Sequence, residues 1–101
     1  MRSQTNALNT EYYTRVFKAI SHEGRLAIVL ELHKRDLSVS QLEQATRQRQ
    51  TVVSQQLARL RKDDLVDFER AGKAVIYRIS DPRLREMIDL LQGLAERGDA
   101  E

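Results

Sequence analysis

Five arginines and lysines stand between Arg47 and Lys62, in RQRQTVVSQQLARLRK, with no aspartate or glutamate among them. The whole chain carries a formal net charge of only +2, so this is a local concentration of cations and not a general basicity. At about 100° per residue, Val53, Leu57 and Leu60 share one side of a helix. Thr51, Val52, Gln55, Ala58, Arg59 and Lys62 fall on the opposite side. The first set needs a core to pack on. The second mixes amides, a hydroxyl, methyl groups and cations, where a merely solvated face would scatter glutamate among its lysines. Such a face suits a partner that is anionic and also presents hydrogen-bonding edges. Double-stranded DNA has both properties: Gln and Arg read purine edges, Thr or Val touches a thymine methyl, and Arg and Lys hold phosphate.

The remainder of the 101 residues supplies one domain, 1–101, because the chain is too short for two independent cores. Its 41% hydrophobic content supports a small core. No apolar run approaches the length of a membrane span, and MRSQTNALNTEYY lacks the apolar segment of a secretory signal. With no cysteine there is no disulfide framework, and Met1 and Met87 are the only sulfur-bearing residues. Catalysis finds no footing: there is no Ser/His/Asp grouping, no Gly-rich phosphate loop and no metal quartet. The expectation is therefore a non-enzyme without cofactor.

Leu8, Tyr12, Tyr13, Val16, Phe17, Ala19 and Ile20 predict a first helix whose apolar sector is wider than one core requires. The surplus predicts a dimer partner. Ser21 is the expected N-cap of a second helix, His22 to about Lys34, with Leu26, Val29, Leu30 and His33 on one side and Ile28 and Leu32 beside them. His33, near the end, is expected to interact with the helix dipole. After a short extended segment, Asp36–Val39, Ser40 is the expected cap of a third helix with Glu43 completing a capping box. Only Arg47, Gln48 and Arg49 separate that helix from the basic one, which makes the pair a helix-turn-helix even without the usual turn glycine. Asp63 and Asp64 stop the basic helix. Leu65–Arg70 and Ala74–Ile79 alternate as strands around Ala71-Gly72-Lys73, forming a hairpin tipped by Arg70 and Lys73, a wing. Ser80-Asp81-Pro82 opens a last helix with a stripe of Leu84, Met87, Ile88, Leu91, Leu94 and Ala95, and Leu90 at its edge. Residues 1–7 and 97–101 are expected to fray.

The predicted class is thus mainly α with a small β-hairpin: a winged helix-turn-helix of about five helices plus wing, acting as a homodimer. Thr51, Val52, Gln55 and Arg59 are the expected base-reading residues. Ser40, Arg47, Arg49, Gln50, Ser54, Lys62, Arg70 and Lys73 are the expected phosphate contacts. Leu8, Tyr12, Tyr13, Val16, Met87, Ile88, Leu91 and Leu94 are the expected dimer surface. The alternative is a winged-helix module that binds another protein, or an anti-regulator without specific DNA binding. An apolar or acidic outer face over Gln50–Lys62 would have favoured it.

VFKAISHEGRLAIVLEL, SVSQLEQA, VSQQLARLRKDDLV and GKAVIYRI, in that order, resemble the ArsR/SmtB family of bacterial repressors, from about Val16 to Leu94. The run RQ-x-x-x-x-SQQLA-x-LR is most similar to the BigR/SqrR-type branch, whose members sense reactive sulfur through paired cysteines. The resemblance implies a homodimer built by the first and last helices, binding of an inverted-repeat operator, release by an inducer, and a cytoplasmic, nucleoid-associated location in a bacterium. It also implies departures. Ser38-Val39-Ser40 stands where metal-sensing members carry Cys-x-Cys, and hydroxyls are poor ligands for soft metals. The last helix has Glu86 and Asp89 but no histidine, and the sulfur-sensing cysteines are missing. Neither cysteine- nor histidine-based metal sensing is expected, and any inducer is of unknown kind.

Overall fold

The computed structural model describes residues 8–98. The elements follow one another as α1 (Thr10–Ile20), α2 (Glu23–Lys34), β1 (Leu37–Ser38), α3 (Val39–Thr46), α4 (Gln50–Lys62), β2 (Val66–Ala71), β3 (Ala74–Ile79) and α5 (Pro82–Glu96). A three-stranded antiparallel sheet runs β1-β3-β2. The expected hairpin is present one residue out of place. Val66 pairs with Ile79 and Ala71 with Ala74, so Ala71 belongs to the strand and the turn contracts to Gly72 and Lys73. Gly72 takes φ +65°, a value that costs a residue without Cβ little.

Helix α2 is central, packing against α1, α3, α4, α5 and β3. Being surrounded, it needs apolar residues on most sides and not in one stripe. Ile28, Val29 and Leu32 are fully buried, whereas Leu26 and Leu30 are only half-buried, which shifts the deep side away from the one the periodicity suggested. Around it close Val16, Leu37, Leu42, Val53, Leu57, Leu60, Leu65, Leu84 and Ile88. Each such side chain contributes about 1.5–3 kcal/mol by leaving water.

Two caps and one side-chain contact differ from expectation. The cap of α2 is His22, whose Nδ1 accepts the Arg25 N–H at 3.3 Å, while Ser21 closes α1 by donating its hydroxyl to the Lys18 carbonyl. The cap of α3 is Ser38, in a reciprocal box with Gln41, and not Ser40 with Glu43. His33 reaches across to α5, its Nε2 lying 2.6 Å from Asp89 Oδ1, and so joins two helices where a contact with its own helix end was expected. At the far end, Arg97 and Gly98 donate their N–H groups to Gly93 and Ala95 and close α5; the rest of the expected frayed ends, 1–7 and 99–101, lie outside the described residues.

Asp81 staples α1 to α5. It caps α5 through the Arg83 N–H at 2.8 Å and accepts the buried Tyr12 hydroxyl at 2.5 Å, while the Arg83 guanidinium lies 3.5 Å over the Tyr12 ring. Burial first, and then the hydrogen bond to Asp81, push the Tyr12 phenol up from 10.0 to about 12. Because the folded value is the higher one, this contribution to stability is complete below pH 10 and disappears as pH rises to about 12. Absorbance at 295 nm should show one tyrosine ionising late, abolished by Tyr12→Phe. A Tyr12→Phe variant with the same alkaline titration would refute the assignment.

Candidate nucleic-acid interface

Helix α4 turns Val53, Leu57 and Leu60 fully inward, as its period requires. Thr51, Gln55 and Arg59 stand exposed on the other side, and Val52 is half-buried at its edge. The eight expected phosphate contacts, Ser40, Arg47, Arg49, Gln50, Ser54, Lys62, Arg70 and Lys73, are all exposed. They belong to α3, the turn, α4 and the wing. Lys73 stands in the hairpin turn and Arg70 two residues before that turn, paired with Val75. The N-cap of α4 is Arg49, which makes no side-chain capping bond and leaves the first N–H groups of the helix open to an anion.

The turn between α3 and α4 manages without glycine by placing Arg47 in the left-handed region, φ 57° and ψ 38°. For a residue with a Cβ that conformation costs roughly 1 kcal/mol. Gln48 anchors the turn by donating its amide to the Gly24 carbonyl at 3.2 Å. Gly24 explains itself here: a Cβ would come within 2.5 Å of Gln56 Nε2 and 2.6 Å of Gln48 Oε1. Gln56 is buried, and its Oε1 has no hydrogen-bond partner among the described residues. The sequence pattern marks Gln48 only as a turn residue and gives Gln56 and Gly24 no role. Gln56 lies three residues from Val53 and four from Leu60, a spacing that puts it on the rim of the inward face.

The cations of α4 are not equivalent. Arg59 Nε donates to Asp63 Oδ2 at 3.0 Å. Arg61, absent from the expected contacts, leans on the wing: its guanidinium lies 4.4 Å from the Phe68 ring centre and its Nε 3.8 Å from Asp67 Oδ1. Helix and wing are thereby held to one another. Across the hairpin, Arg78 pairs with Glu69. Since Phe68 also packs on Tyr77, with ring centres 5.4 Å apart, the wing carries its own small aromatic cluster.

The expected dimer surface divides. Tyr12, Val16 and Ile88 are enclosed in the chain's own core, because the staple to Asp81 and the packing around α2 consume them. They are not available to a partner, and that part of the expectation is corrected. Leu8, Leu91 and Leu94 are exposed at 66%, 45% and 37%, while Tyr13 and Met87 are partly covered. Phe17 and Leu90, outside the expected set, are exposed at 54% and 71%. The exposed apolar side chains thus lie on α1, just before it, and on α5.

Among the described residues no three His, Asp or Glu side chains cluster as a metal site, and no helix is long and apolar enough to cross a membrane.

Comparison with known proteins gives this geometry a setting. The model of a family described as bacterial regulatory protein, arsR family, matches residues 22–67. The transcriptional activator HlyU of Vibrio cholerae is 37% identical over 79 residues, 78% of this chain and 73% of that protein. Its structure in the reduced form superposes with a TM-score of 0.81 over 85% of this chain and 90% of that one, at 35% identity. The biofilm growth-associated repressor of Agrobacterium fabrum is 32% identical over 79 residues, covering 78% of this chain and 68% of the repressor. A homodimeric winged helix-turn-helix DNA-binding domain from Mycobacterium bovis, solved in solution, matches with a TM-score of 0.77 at 28% identity, over 96% of this chain and 90% of that one.

Proposed function

Because this chain belongs to the ArsR family of bacterial regulatory proteins, we propose that it binds an inverted-repeat DNA operator as a homodimer and represses transcription there. The observation that carries this reading is the outward face of α4. Thr51, Gln55 and Arg59 occupy successive turns of it without an acidic side chain between them. Thr51, Val52, Gln55 and Arg59 read base edges in the major groove. Arg47, Arg49, Gln50, Ser54 and Lys62 around the helix, Ser40 at the start of α3, and Arg70 and Lys73 on the wing hold the flanking phosphates. The partner copy covers Leu91 and Leu94 on α5, with Leu8, Tyr13 and Met87 beside them. Residues 1–101 work as one domain, and neither a metal nor a cofactor has a part in it.

The relatives include both an activator and repressors by name. A bound dimer represses where its site overlaps the promoter. Genome-wide recovery of bound fragments, followed by footprinting, should give an inverted repeat with half-site centres about one helical turn, roughly 34 Å, apart or a multiple of it. Recovery of fragments without a shared motif would contradict the proposal.

The strained arginine supports the same reading, since backbone strain of this kind collects at functional positions. Arg47→Gly is expected to raise stability in urea unfolding by about 0.5–1 kcal/mol while weakening duplex binding. Unchanged binding would remove Arg47 from the phosphate contacts.

A further inference from the structure

Asp63 is an acid in a place where stability does not ask for one. It caps the C-terminal end of α4, where the helix dipole disfavours negative charge. Its partner Arg59 precedes it by four residues, the less stabilising order for an ion pair along a helix. Yet the carboxylate is held close in, with 14% of the side chain exposed against 43% for Arg59. It grips Arg59 by Nε at 3.0 Å. A guanidinium has five N–H donors in a rigid plane, so this bond uses the one on Nε and leaves the four on the terminal nitrogens for another acceptor. The pair therefore fixes a fork beside Thr51 and Gln55 on the face that carries no other arginine.

We propose that Asp63 is a specificity-determining positioning residue: it aims the Arg59 guanidinium so that its terminal nitrogens recognise the O6 and N7 edge of one guanine in each half-site. This rests on the DNA-binding reading above. Without Asp63 the arginine keeps its charge and loses its direction, and a long flexible cation reaches the phosphates as readily as a base edge. The carboxylate also acts against indiscriminate binding, because it places a negative charge near the DNA backbone at every sequence. Removing it is thus expected to move specific and non-specific binding in opposite directions. A carboxylate that only stabilised the helix could not do that.

The test compares full-length wild type, Asp63→Asn, Asp63→Ala and Arg59→Ala on the footprinted operator, on single-base-pair variants of it, and on a scrambled duplex. Arg59→Ala should flatten the base preference at one G·C pair per half-site by roughly tenfold. Both Asp63 variants should flatten the same position, while affinity for the scrambled duplex rises about two- to threefold. Asp63→Asn keeps the size of the side chain and the backbone N–H that closes α4, so its circular-dichroism melting curve should stay close to wild type. Retention of the wild-type preference at that pair by both Asp63 variants would overturn the inference. So would an equal loss on all duplexes. If wild type itself fails to prefer the operator over the scrambled duplex, the DNA-reading proposal has failed and takes this one with it.

Discussion

Leu91→Glu combined with Leu94→Glu should leave a folded chain that sediments as a monomer and has lost operator binding by roughly 100-fold or more. Both side chains are already substantially exposed in the single chain, so their replacement empties no core position and should cost the fold little. In a two-fold pair the same carboxylates would meet their own copies across an apolar surface, and the association would fail. One chain then grips one half-site, and the second grip, intramolecular in the dimer, is forfeited; this accounts for the size of the expected loss. Circular dichroism checks the fold, sedimentation the assembly, and fluorescence anisotropy the binding. A variant that remains dimeric with unchanged affinity would place the interface elsewhere, with Phe17 and Leu90 the next residues to examine.

Gln55→Ala and Lys73→Ala are expected to fail in different ways. A glutamine on the outward face can bond an adenine edge through both ends of its amide, worth about 1–3 kcal/mol of discrimination. Its loss should lower affinity for the operator by about tenfold and leave a scrambled duplex nearly untouched. Lys73 sits in the wing turn, outside α4, and is expected to meet phosphate and no base edge. Its replacement should weaken both duplexes alike and reduce the salt slope by about one. An equal loss on both duplexes for Gln55→Ala would mean that the bases meet a different face of α4.

The elements were legible because their periodicities are long and their polar breaks sharp. The caps were less so, for identifiable reasons. SVSQLE contains two overlapping capping boxes, Ser38 with Gln41 and Ser40 with Glu43, of equal local merit. Pairing of Leu37 and Ser38 with Tyr77 and Ile76 keeps the backbone extended through Ser38 and thereby chooses the first. That contact spans some forty residues and leaves no local trace. Ser21 and His22 pose the same ambiguity, resolved by α1 running on to Ile20 and taking Ser21 for its own end.

The candidate interface was legible where one helix decides exposure, so the polar face of α4 and the wing tip could be read from period alone. The grip of Arg61 on Phe68 and Asp67 joins two elements and could not. The dimer surface shows the same limit. The first helix was visibly too apolar for one contact, but a helical wheel cannot say which residues face inward. Tyr12 went to Asp81 and Val16 to the core, leaving Phe17 outside.

A regulator that reads sequence, and does not merely adhere to polyanions, must separate its site from other DNA at every ionic strength. The most direct test is wild-type affinity for the footprinted site and for a scrambled duplex of equal length, measured across a range of salt concentrations. Both affinities should fall linearly on logarithmic axes as counterions are released, with a gap of at least about 1,000-fold in favour of the site that persists at every salt concentration. Two coincident lines would mean that the protein does not read sequence.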